Sequence, residues 1–84
     1  MHTLEMNKKI RFLQEIREEI GDYNFRRCVA RVYTQHYIEV LESNELKISR
    51  EDFVFRVNCM LEEHNVKPMS YYFFRQFNMD GVLK

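Results

Sequence analysis

The sequence predicts an all-α fold, a compact four-helix domain. Three observations carry this. Helix breakers are scarce, with 2 Gly and 1 Pro in 84 residues, while Leu, Glu, Arg and Lys are common. Apolar residues recur at spacings of three and four, the period of a helix with one buried face. Recognisable start and stop signals then divide the chain.

The first helix is expected from Leu4 or Lys8 to Ile20, with Met6, Ile10, Leu13, Ile16 and Ile20 as its apolar stripe. Gly21 is its left-handed stop. Asp22 or Asn24 is expected to cap the second helix, which reaches Leu41 or Ser43. On that helix Phe25, Cys28, Val29, Val32, His36 and Val40 form one stripe, and Tyr23, Ala30, Tyr33, Tyr37 and Leu41 widen it. A surface helix needs a narrower apolar face, so the second helix is placed centrally, packed from two sides. "SNELK" (Ser43 to Lys47) is a loop. Ser49 is the N-cap of the third helix, with Asp52 at the third position and Ile48 placed to staple onto Phe53. That helix runs from Arg50 to His64, with Phe53, Val54, Val57, Met60, Leu61 and His64 inward. Asn65 takes the left-handed position at its end and Val66 folds back. Pro68 opens the last helix, which ends before Gly81.

Charge suggests how the first two helices pair. Each starts basic (Lys8, Lys9 and Arg11; Arg26 and Arg27) and ends acidic (Glu18 and Glu19; Glu39 and Glu42). Both run against the helix dipole. An antiparallel hairpin sets Glu18 and Glu19 against Arg26 and Arg27, and the basic start against Glu39 and Glu42. The C-terminal half forms a shorter helical hairpin. Residues 1–84 read as one domain. The opening "MHTLE" reads either as native or as an added remnant, and residues 1–6 as a frayed end.

Composition excludes several function classes. With 13 basic and 13 acidic residues, no general electrostatic term draws the chain to nucleic acid or anionic lipid. No signal peptide and no long apolar run is present, so no membrane role is expected. Two cysteines far apart, Cys28 and Cys59, make no disulfide framework, which points to a reducing, cytoplasmic setting. Cys28, Cys59, His36 and His64 lack zinc-site spacing, so His36 and His64 are expected in the core and no metal is expected. Cys28 and His36 stand two turns apart on one helix, out of reach for a nucleophile and its base. No Gly-rich loop exists to cradle phosphate. No catalytic residue, cofactor or small-molecule substrate is assigned.

Three features point to contact with a partner. In "KPMSYYFFRQF" (Lys67 to Phe77) four consecutive rings point almost all round a helix. Met69, Phe73, Phe74 and Phe77 make a core face, which leaves Tyr71, Tyr72, Arg75 and Met79 outward. Phe55 and Cys59 lie one turn apart on the outer face of the third helix. Tyr and Arg are enriched at binding hot spots, and Met adapts to varied contacts. Arg26, Arg27 and Arg31 form a basic strip suited to an anionic partner. A second outline covers residues 57–77, which resemble a helix-turn-helix with Asn65 at the turn and Val66, Tyr71 and Phe74 at apolar positions. Leu61 stands where a small residue belongs, and the reading helix offers mainly aromatics, whereas base readout favours Arg, Lys, Asn and Gln. The leading expectation is a non-enzymatic protein–protein interaction module. It acts as a regulator, adaptor or inhibitor by occupying a site on a larger protein, with a homodimer as one form, a description that small phage-encoded inhibitors of host machinery also fit. The second is a helix-turn-helix nucleic-acid binder that regulates transcription.

Overall fold

A computed structural model describes residues 2–84, with side chains from residue 4 onward. Among these residues the chain is all-α, with no strand. The helices are α1 (His2–Glu15), α2 (Arg17–Ile20), α3 (Asp22–Ser43), α4 (Arg50–Glu63) and α5 (Tyr71–Phe74). Departures from four helices occur at both ends of the chain: the first expected helix breaks, and the last shrinks to one turn. Of the frayed start expected at residues 1–6, Met1 lies outside the described residues, and the backbone is helical from His2.

The first break falls at Ile16, with φ −100° and ψ 10°. Its N–H still reaches the Phe12 carbonyl at 3.1 Å, so the axis is interrupted without the chain leaving it. Gly21 then ends α2 with φ 85° and ψ 156°. This is an extended backbone of positive φ, essentially reserved for glycine, and not the left-handed stop expected. A Cβ there would meet nothing within 4 Å, so the backbone sets the requirement, not space. Neither expected cap of α3 acts as one. Asp22 accepts from Arg17 Nε at 2.8 Å, and Asn24 donates to the Ile20 carbonyl at 2.9 Å. Both side chains tie α3 back to α2.

α3 is the central element. It buries Phe25, Val29, Ala30, Tyr33, Thr34 and Leu41. Cys28, Val32, His36, Tyr37, Ile38 and Val40 are half-buried around them, while Tyr23 stands exposed outside the stripe. Thr34 is wholly enclosed, and its hydroxyl donates to the Ala30 carbonyl at 2.8 Å, which satisfies it. α1 packs along α3. Glu5 and Met6 share a recess with His36 and Glu39, Phe12 and Leu13 share one with Cys28, and Arg17 lies 4.5 Å from the Phe25 ring centroid. The ion pair at the α2–α3 corner joins Arg17 to Asp22. Arg26 and Arg27 turn elsewhere, towards the C-terminal segment.

The ends of α4 follow from local chemistry. The Ser49 hydroxyl accepts from the Asp52 N–H at 3.1 Å. Ser49→Ala is expected to destabilise the domain by about 0.5–2 kcal/mol in a denaturant titration. At the far end Asn65 has φ 59°. Val66 N–H bonds the Leu61 carbonyl and Asn65 N–H the Glu62 carbonyl, each at 3.0 Å. These two bonds define a Schellman close. α3 ends the same way, with Glu45 at φ 52° and Leu46 N–H on the Leu41 carbonyl at 2.9 Å. An L side chain holds that left-handed position at some cost, because glycine or asparagine takes it more readily.

From Lys67 to Ser70 the chain is not helical, so Pro68 does not open a helix; the single turn of α5 follows Ser70, whose backbone is extended. Asn58 holds this stretch. Its amide oxygen accepts from Met69 N–H at 2.9 Å and its amide nitrogen donates to the Met69 carbonyl at 3.1 Å. Beyond α5 the chain folds in turns and returns to the start of α4. Ile48 N–H bonds the Val82 carbonyl at 2.9 Å, and Lys84 N–H bonds the Ile48 carbonyl at 3.0 Å. The core gathers Ile10 of α1, the buried face of α3, Phe53, Val57 and Leu61 of α4, and Val66, Phe73, Phe74, Met79 and Val82.

Candidate functional site

The fate of the four rings defines the candidate surface. Phe73 and Phe74 are buried, and their rings meet edge-on with centroids 5.3 Å apart. Phe74 also meets Phe53 edge-on at 6.2 Å, the preferred geometry for aromatic pairs. Met69 and Phe77 pack half-buried beside them. Tyr71 and Tyr72 remain 46% and 76% exposed.

Arginines cover the rings that the core leaves out. Arg50 stands 5.6 Å from the Tyr71 centroid and donates to its hydroxyl. Arg75 stands 5.1 Å from the Tyr72 centroid. The strip on α3 does the same inward. Arg27 lies 5.6 Å from Phe73 and 5.7 Å from Tyr23, and Arg31 lies 5.8 Å from Phe77 and donates to Gln76 at 2.9 Å. Cation–ring contacts of this kind contribute about 0.5–1 kcal/mol at exposed sites. Arg27 and Arg31 therefore clasp the C-terminal segment. Arg26 is half-buried, and its Nε has no hydrogen-bond partner. Arg26 and Arg27 border one recess with Tyr23, Ser70, Tyr72 and Gln76. A second recess is bordered by Arg50, Tyr71 and Arg75.

The predicted contact residues separate into three groups. Tyr71, Tyr72 and Arg75 share one exposed surface. Phe55, 67% exposed, and Cys59, also exposed, lie on α4 outside both recesses. Met79, expected outward, is 6% exposed and belongs to the core. The wheel that placed it outward assumed a continuous helix to Gly81; once α5 ends at Phe74, the chain turns and carries Met79 into the core.

The helix-turn-helix outline does not form. After α4 the chain leaves helix until Ser70, and the second helix is a single turn of four residues, roughly 6 Å long. That is too short to lie along a DNA groove as a reading helix. Nor are the histidines core groups. His36 is half-buried and His64 is exposed at the end of α4. The His64 ring hydrogen-bonds the Tyr33 hydroxyl. No group of three or more His, Cys, Asp or Glu is placed to hold a metal among the described residues, and no described helix is long and apolar enough to cross a membrane.

Burial of Tyr33 pushes its phenol above the ordinary value of 10.0, helped by the nearby Glu63 charge. The folded state therefore keeps the proton longer than the unfolded chain. The stability this gives is complete below pH 10.0 and is lost as pH rises through the folded value. Tyr33→Phe is expected to flatten the fall of stability above that pH, read as thermal melting at a series of alkaline pH values. An unchanged profile would place the alkaline transition elsewhere.

Two contributors escaped the sequence reading. Asn58 had no signal, because its partner is backbone eleven residues away. Phe12 had one: it falls outside the α1 stripe yet is a large apolar ring. It is 58% exposed and borders a groove with Leu13, Cys28 and Val32. No protein-family model, no curated protein and no solved structure matches the chain.

Proposed function

We propose that the chain is a non-enzymatic protein–protein interaction module, working in the cytoplasm as a regulator, adaptor or inhibitor that occupies a site on a larger protein. A second copy of the chain is one form of that partner. In this reading α1 and α3 form an antiparallel hairpin that serves as frame, and the C-terminal segment clasped against it carries the contact surface.

The observation that carries the proposal is the pair Tyr71 and Tyr72, exposed after the core has taken Phe73 and Phe74. Arg50 and Arg75 rest against these rings. Rings held in place before binding lose less freedom on binding, so more of their contact energy appears as affinity. Tyr and Arg are also the side chains most enriched where interfaces concentrate their energy.

The test is the double variant Tyr71→Ala with Tyr72→Ala. It is expected to fold, by circular dichroism and thermal melting, and to lose about 2 kcal/mol of association, roughly 30-fold. Sedimentation at matched concentrations reads self-association. A comparative pull-down from the source cell, with wild type and variant as bait, reads a foreign partner. A folded variant that associates at wild-type strength in both assays would remove the proposal.

A further inference from the structure

An apolar recess lies on another face, between α1 and α3. It is an open groove of about 450 Å³ bordered by Phe12, Leu13, Cys28 and Val32. Lys8, Lys9 and Arg31 complete its border, while Lys9 and Val32 also border the adjoining recess that holds Glu5 and Glu39. Phe12 is 58% exposed, while Leu13, Cys28 and Val32 are half-buried, so the floor is neither closed into the core nor covered by a loop. Neither Tyr71 nor Tyr72 borders it.

We propose that this groove is a second docking site and that it takes an acidic amphipathic helix from a partner protein. Charge selects the occupant. Lys8 and Lys9 beside a carbon-lined floor, with Arg31 at the rim where it also holds Gln76, repel a basic segment and favour one whose carboxylates flank an apolar stripe. Shape selects a helix. Both walls are helices whose backbone groups are bonded internally, so the groove offers no free edge for an added strand, whereas a helix can lay one apolar face along it. The concave shape also disfavours a lipid surface, which suits projecting side chains, and the chain as a whole has no net charge to hold it there.

The two cysteines supply an internal readout. Cys28 borders the groove and is half-buried, whereas Cys59 is exposed on α4. The probe is a synthetic helical peptide of about 16 residues, with Leu at i, i+3, i+4 and i+7 and Glu on both flanks. Its control carries Lys in place of every Glu. Binding is followed by fluorescence anisotropy, and the alkylation rates of Cys28 and Cys59 are followed by mass spectrometry. The Glu peptide is expected to slow alkylation of Cys28 by about tenfold or more at saturation, and to leave Cys59 unchanged. Phe12→Ser, and separately Lys8→Glu with Lys9→Glu, are each expected to weaken binding about tenfold or more without changing the helical circular dichroism. The double Tyr71→Ala, Tyr72→Ala variant is expected to bind the peptide as wild type does, so failure of this site and failure of the aromatic surface are distinguishable. The proposal is overturned if the Glu peptide leaves Cys28 unprotected, if it slows both cysteines alike, or if the Lys control binds equally well. It is also overturned if phosphatidylserine vesicles protect Cys28 where the peptide does not, which would make the face a membrane contact. Protection of Cys28 that rises with protein concentration alone would assign the groove to a second copy and overturn the proposed occupant.

Discussion

Phe74→Ala is expected to cost about 3–5 kcal/mol of stability, the scale for removing a buried ring. Phe74 is 1% exposed and meets both Phe53 and Phe73 edge-on. Those neighbours belong to different segments, so the cavity would open at the joint between α4 and the C-terminal segment. Stability of a small domain is itself only of order 5–10 kcal/mol, so the loss would be a large share of it. Phe77→Ala is the control. That ring is only half-buried, so its removal should cost less. Denaturant titrations of both variants check this. A larger loss at Phe77 would mean that the segment is rotated relative to the arrangement described.

Met79→Ala is expected to cost about 2–5 kcal/mol and to act on folding alone. A methionine so near two exposed tyrosines in sequence invites the opposite expectation, a loss of binding with the fold intact. Burial decides between them, because Met79 is 6% exposed within the core. Its carbonyl also accepts from Val82 N–H at 3.0 Å and Leu83 N–H at 3.1 Å, which turns the chain back towards Ile48. Melting temperature and partner affinity, measured on the same preparation, separate the two outcomes. Unchanged melting with weakened association would return Met79 to the contact surface.

The parts of the fold that were legible in sequence are those fixed by chain neighbours. Ser49 and Asp52 are three residues apart, and the turn at Asn65 is closed by bonds within five residues. The helical period separated Phe73 and Phe74 from Tyr71 and Tyr72 correctly, because the pairs lie on opposite sides even within one turn. What was hidden depends on atoms far along the chain. Asn58 reaches the Met69 backbone, and Ile48 reaches Val82 and Lys84. These tertiary bonds hold non-helical backbone before α5 and a turned segment after it, and so the last helix stops at one turn where periodicity alone would continue it. Asp22 and Asn24 mislead for a related reason: the polar groups they find belong to α2, so cap chemistry is present but serves the preceding helix. The basic strip was visible as charge, but its contact with Phe73 and Phe77 was not, since a ring facing an arginine carries no periodic signal.

The return of the chain to Ile48 also bears on how the protein is made. Synthesis delivers α1, α3 and α4 first, yet Val82, with no exposed surface, fills a place among their side chains. Until Met79 to Lys84 clear the ribosome, the nascent helices hold an unfinished core whose last wall has not been translated into reach. Closing the core of this domain therefore waits on Met79 to Lys84, and until that segment docks the apolar side of α4 stays uncovered.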